Sequence, residues 1–140
     1  MGRVIRNKKA KGTAAENELI HMFWENEWVA IRVAGSGSTK YPAPDVLASC
    51  GFAKVVLEIK VVNGVKKYFT GQEIRDLGFF GREFGAQPWV GVKFQENQWY
   101  FIPTSELEET REENYSISLI AMKRKGFTFD EMRETIKFKN

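Results

Sequence analysis

The stretch Pro44–Lys60 constrains the fold more than any other part of this chain. Two β-rich runs, Asp45 to Ala48 and Lys54 to Val62, flank a turn around Cys50 and Gly51, the spacing of a hairpin. Side chains alternate across a strand, so Val55, Leu57, Ile59 and Val61 share one face. Glu58 and Lys60 fall on the other, with Val56 and Val62. A carboxylate and an ammonium thus project together from an otherwise β-branched strand. The partner strand opens on a second carboxylate, Asp45.

That pattern suits phosphodiester hydrolysis. The reaction needs a hydroxide-like nucleophile at neutral pH and charge neutralisation at the phosphoryl oxygens. Hard divalent cations supply both, and carboxylates are their preferred ligands. A lysine one strand-step away can orient the attacking water or screen the phosphate. On spacing alone, a Glu–Lys pair on a solvated strand face, with Asp45 merely starting a strand, is the commoner reading.

The 140 residues suit one domain, 1–140, and a hydrophobic content of 43% is ample for a core. No apolar run reaches the roughly 20 residues needed to span a bilayer, so no membrane partner is expected. The basic N-terminus lacks an apolar core, which argues against a secretory signal and for a cytoplasmic location. One cysteine, Cys50, cannot form an internal disulfide, which fits a reducing compartment. One histidine, His21, excludes a His-based triad or a zinc cluster with Cys50. The net charge of +3 is unevenly spread: residues 1–11 carry Arg3, Arg6, Lys8, Lys9 and Lys11 and no acid, whereas 105–113 are rich in glutamate. A basic, flexible arm over 1–11 would suit a polyanion bound on one side, or simply be a solvated terminus.

Along the chain, Thr13-Ala-Ala-Glu16 has the capping-box form and predicts a helix to about Asn26, with Glu16 as its capping acid or as a site residue. Its apolar stripe is Ala15, Leu19, Met22 and Phe23, widened by Ile20 and Trp24, while Glu18, His21 and Glu25 should face water. Trp28–Val33 reads as a strand. The long loop Ala34–Pro44 follows, where Ser36, Ser38, Thr39 and Lys40 could hold phosphates or merely link two strands. Thr70-Gly-Gln-Glu73 predicts a helix to Phe84 closed by Gly85, with Ile74, Leu77, Phe80 and Phe84 on one stripe. Pro88–Phe94 and Trp99–Ile102 predict a hairpin. Residues 105–113 and 117–125 are expected as helices, and Thr128-Phe-Asp-Glu131 caps a last one.

Taken in order, these elements place Glu16, Asp45, Glu58 and Lys60 where the PD-(D/E)xK nuclease superfamily places its catalytic set. More narrowly the chain resembles the archaeal Holliday-junction resolvases. The matching segments are Lys11-Gly-Thr-Ala-Ala-Glu-Asn-Glu-Leu-Ile20, Ala34-Gly-Ser-Gly-Ser38, Pro44-Asp-Val-Leu-Ala48, Leu57-Glu-Ile-Lys-Val61, Phe80, Arg82-Glu-Phe-Gly85 and Pro88-Trp-Val-Gly-Val-Lys-Phe94. They span most of residues 10–102.

The resemblance implies an α/β, restriction-endonuclease-like fold: a mixed central β-sheet of about five strands flanked by helices. It implies a metal-dependent endonuclease that resolves four-way junctions by paired nicks during recombination and repair. Asp45 and Glu58 would be the metal ligands, with the Ile59 carbonyl and Glu16, and Lys60 the catalytic lysine. Mg2+ would be the cofactor, with Mn2+ able to substitute, and no organic cofactor is implied. Arg32 and Ser36 or Ser38 would touch the scissile strand, and Lys9, Lys11 and Lys40 are further DNA-binding candidates. A homodimer is implied, with Phe80 and Phe84 at its interface. Asn17 stands where some relatives carry arginine after the first glutamate. Alternatives are a nuclease of this scaffold acting on linear or other branched DNA, and a DNA-binding protein without catalysis.

Overall fold

A computed structural model describes residues 2–36 and 38–139, with the side chains of 2–8 and Glu96 left aside; Arg3, Arg6 and Lys8 of the basic stretch lie outside these described side chains. Helix α1 spans Gly2–Glu25, strands β1 to β4 span Val29–Arg32, Val46–Ser49, Lys54–Val61 and Lys66–Phe69, and helix α2 spans Gly71–Phe84. Strands β5 (Gln87–Phe94), β6 (Gln98–Pro103), β7 (Glu108–Glu109) and β8 (Tyr115–Ser118) follow, then helices α3 (Leu119–Lys125) and α4 (Phe129–Lys139).

The main sheet has the order β1-β2-β3-β5-β6. It is mixed: β3 and β5 run parallel and the remaining pairs antiparallel. The expected hairpin is present, with Val46 opposite Leu57 and Ala48 opposite Val55. The parallel step needs a crossover, and α2 supplies it.

Alternation along β3 divides the interior into two layers. Val55, Leu57 and Ile59 face Ala15, Leu19 and Phe23 of α1 and Met132 and Ile136 of α4. Val56 and Val62 face the other way, against Ile74 and Leu77 of α2 and Phe69, Ile117 and Met122 beyond. Glu58 and Lys60 therefore emerge on the α2 side.

Helix α2 has the expected ends. Thr70 Oγ1 accepts from the Glu73 amide at 3.0 Å and Glu73 Oε2 from the Thr70 amide at 3.1 Å, while Gly85 closes the helix at φ 78°. The amide of Ala86 returns to the Gly81 carbonyl at 2.8 Å, and a side chain at 81 would strike that turn. Thr128 and Glu131 form the reciprocal pair that opens α4.

Three expectations are corrected. Helix α1 starts at Gly2, so the basic stretch is its first turns rather than an arm preceding it, and Thr13 lies inside the helix instead of capping it. Trp24 is exposed, its indole nitrogen donating to the Ala30 carbonyl, and Glu18 is tied down by Lys93 and Trp99 instead of facing water freely. Residues 105–113 are not helical beyond the single 3-10 turn Thr104–Glu106. Glu108 and Glu112, like Glu109 and Glu113, would stack like charges four residues apart on a helix, which disfavours it. The chain instead forms β7 and β8, and β8 pairs with β4 to build a small three-stranded sheet, β4-β8-β7.

Candidate active site

Asp45 stands just before β2 and is the buried charged side chain of the interior. Both its oxygens are engaged at 2.8 Å, Oδ1 by the Ser36 hydroxyl and Oδ2 by the Ile59 amide. The Asp45 amide itself donates to the Leu57 carbonyl at 2.9 Å, and the Val33 amide to the Asp45 carbonyl at 2.8 Å. The hairpin and the base of the long loop thus hold this carboxylate in one orientation, against the residue that follows Glu58.

Glu58 projects from β3 beside it. Burial, the Asp45 charge and a hydrogen bond shared with Asp45 push its carboxyl up to about 8, against the pull of Lys60. Lys60 Nζ lies 3.9 Å from Glu58 Oε1 and 3.4 Å from Glu73 Oε1, and over the Phe69 ring.

Glu16 approaches from α1. Burial and the Asp45 charge raise its pKa, opposed by Arg32, whose Nε donates to Glu16 Oε1 at 2.8 Å. Arg32 also reaches Thr13 Oγ1 at 3.4 Å. Glu16 is therefore the partner of Arg32 rather than a capping acid. Among the described residues no three acid, histidine or cysteine side chains are gathered to hold an ion. Asp45 and Glu58 form a carboxylate pair that could hold one. Magnesium takes one or two carboxylates and keeps its remaining positions for water, so hard oxygen donors in this number fit it.

The other candidates separate. Ser36 joins the site through Asp45, whereas the Ser38 hydroxyl turns back to the Gly35 carbonyl at 3.1 Å. Lys40 sits over the Tyr41 ring and lines a cavity of about 310 Å3 with Ser36, Glu58, Glu73 and Asp76. Lys11 lines a second cavity beside Lys60, and Lys9 is exposed on α1. The sequence reading missed Glu73 and Asp76 at the first cavity. Glu73 was visible only as a helix cap, and nothing in local spacing placed the start of α2 over β3.

A family model for "Archaeal holliday junction resolvase (hjc)" matches residues 7–139. The chain belongs to that family. Its relatives include a protein of Archaeoglobus fulgidus named crossover junction endodeoxyribonuclease Hjc, 38% identical over 109 residues, 78% of this chain and 79% of that one. A protein of the same name from Methanocaldococcus jannaschii is 28% identical over 113 residues, 81% of this chain and 80% of its own. The solved structure of the Archaeoglobus fulgidus Hjc, described as a Holliday junction resolvase, superposes with a TM-score of 0.82 at 31% identity, covering 88% of this chain and 98% of that one. The mixed five-stranded sheet with helices on both sides is the fold of this archaeal resolvase family. Within it, the hairpin register at Asp45 and the β3 alternation at Glu58 and Lys60 bring these three side chains together.

Proposed function

We propose that this chain is a Holliday junction resolvase, a metal-dependent endodeoxyribonuclease that cuts four-way DNA junctions. The observation that carries the reading is the buried contact between Asp45 and Glu58 with the Lys60 ammonium beside it, in a chain of this family. Asp45 and Glu58, with the Ile59 carbonyl, would hold Mg2+ or Mn2+, and the ion would supply an activated water and charge neutralisation at the phosphate. Ser36 and the Ile59 amide fix the Asp45 carboxylate. Lys60 sets its charge beside the attacking water and the phosphoryl oxygens. Arg32 holds Glu16 against this centre and offers its remaining guanidinium edge to the scissile strand.

Junction preference rests on shape and charge, since phosphate contacts carry no base information. A four-way junction has near two-fold symmetry, so a homodimer can nick opposing strands in paired fashion. An apolar patch supports such a dimer. Phe80 and Phe84 of α2 pack ring to ring at 5.4 Å, and Phe84 is half exposed. Trp24 at the end of α1 and Val29 and Ile31 on the edge strand β1 continue the patch, each more than half exposed. An uncovered edge strand with an apolar face is an aggregation hazard unless something packs on it, and a second copy would cover it. No described helix is long and apolar enough to cross a membrane.

Linear, forked and four-way substrates at equal concentration test the reading, with and without magnesium. Paired, metal-dependent nicks on the four-way substrate are expected. Equal cutting of linear DNA would remove the junction assignment, and junction binding without cutting would remove the nuclease.

A further inference from the structure

We propose that the groove between α1 and the β3–β4 turn is a phosphate track that carries a DNA arm away from the catalytic centre, with Lys66 and Lys67 as its unassigned contacts. The inference rests on the nuclease reading above and extends it from the scissile phosphate to the strand beyond.

The groove encloses about 440 Å3 and is lined by Lys11, Lys60, Asn63, Gly64, Lys66 and Lys67 among others, with no acidic side chain in its wall. Lys60 lines this groove, and its ammonium reaches Glu58 and Glu73 of the neighbouring cavity at 3.9 and 3.4 Å. A strand whose scissile phosphate sits at Lys60 thus meets these lysines within a few nucleotides. The lysines reach the groove from separate elements: Lys11 from α1, Lys60 from β3, Lys66 and Lys67 from β4.

Three of these lysines carry charge with no described carboxylate beside it, Lys66 having the Tyr68 ring at 5.1 Å as its neighbour. Among the described residues Lys60 is the groove lysine with carboxylate partners, and none of the ion pairs includes Lys11, Lys66 or Lys67. Elsewhere the chain does pair its lysines, as Lys93 with Glu18 and Lys125 with Glu108. Like charges held within a Debye length of about 8 Å repel one another, and a polyanion laid along the groove removes that repulsion. Phosphates, one after another along a strand, match such a row. The small sheet has a reason to exist on this reading: pairing with β8 holds β4 out beside the catalytic strand, with Lys66 opposite Ser118 and Lys67 opposite Ile117.

The test is the salt dependence of binding to a fixed four-way junction, without metal, for the full chain. Each phosphate contact contributes about 0.9 to the slope of log K against log salt. Lys66→Ala/Lys67→Ala is expected to lower that slope by about 1.8 and to weaken binding at low salt alike on junctions of different sequence. Lys66→Arg/Lys67→Arg should keep the wild-type slope. The charge-matched control Lys137→Ala/Lys139→Ala, on the α4 side of the molecule, should keep it too. A slope for the alanine pair equal to wild type overturns the track, as does an equal drop in the arginine pair or the control. A wild-type protein that neither binds nor cuts the junction would instead overturn the functional reading.

Discussion

Lys60 Nζ is shared between two carboxylates, 3.4 Å from Glu73 Oε1 and 3.9 Å from Glu58 Oε1, while the other Glu73 oxygen caps helix α2 at the Thr70 amide. One side chain therefore joins the start of a helix to the lysine of β3. The cap and the charge are separable, because glutamine serves at this cap position as well as glutamate. Glu73→Gln is expected to melt near wild type but to cut junctions roughly 10-fold more slowly, the effect of about 1.4 kcal/mol on the barrier. Thr70→Ala should do the reverse, losing about 1 kcal/mol of stability with cleavage retained. Melting curves beside single-turnover rates decide it. A Glu73→Gln protein that cuts at the wild-type rate would leave Glu73 as a cap alone.

The acids of the centre should separate binding from chemistry. Asp45→Ala or Glu58→Ala is expected to bind the junction about as tightly as wild type without metal, since neither contacts DNA through a positive charge. Cleavage should fall roughly 10²-fold or more, the scale of losing major electrostatic stabilisation of the transition state. Electrophoretic binding and rapid-mixing cleavage on one labelled junction give both quantities. Fast cutting by Glu58→Ala would remove it from the centre.

These residues were legible because their relations are local. The period of two puts Glu58 and Lys60 on one face, and the hairpin brings Asp45 to β3; both follow from a stretch of under twenty residues. The capping boxes of α2 and α4 were legible for the same reason. What depended on distant packing was not. The bond between Lys60 and Glu73 requires α2 to start over the end of β3. The pairing of Glu16 with Arg32 competes with a capping role that its spacing also allowed. Residues 105–113 looked helical by composition, yet the strand that follows pairs with β4, nearly fifty positions earlier.

The raised Glu58 carboxyl has a consequence for stability. Its pKa in the folded chain is about 8, against an ordinary value of 4.5, so the folded protein holds a proton there that the unfolded chain releases. That contribution is fully present below about 4.5 and is lost as pH rises through about 8. In EDTA, the melting temperature should fall across this window. Glu58→Gln should flatten the fall and melt higher than wild type at its upper end. Magnesium should raise the wild-type melting temperature at pH 8, where the Glu58 carboxyl is freed for a cation, and leave Glu58→Gln nearly unmoved. Scanning calorimetry over the pH series measures all three, and parallel profiles for the two proteins in EDTA would rule out the raised Glu58 carboxyl.

The dimer prediction turns on where the apolar surface lies. Phe80 is partly covered by its neighbours in the α2 layer, whereas Phe84, Trp24, Val29 and Ile31 present their faces outward. Removing a large side chain from a buried interface costs affinity, and aromatic anchors cost most. Phe80→Ala with Phe84→Ala should therefore raise the dimer dissociation constant by 10-fold or more in sedimentation, and Ile31→Lys should do so without touching the core. A chain that stays monomeric in solution should nick one strand of a junction without the paired second cut. An unchanged dimer in both variants would place the interface elsewhere and return the Phe80–Phe84 pair to a purely internal packing role.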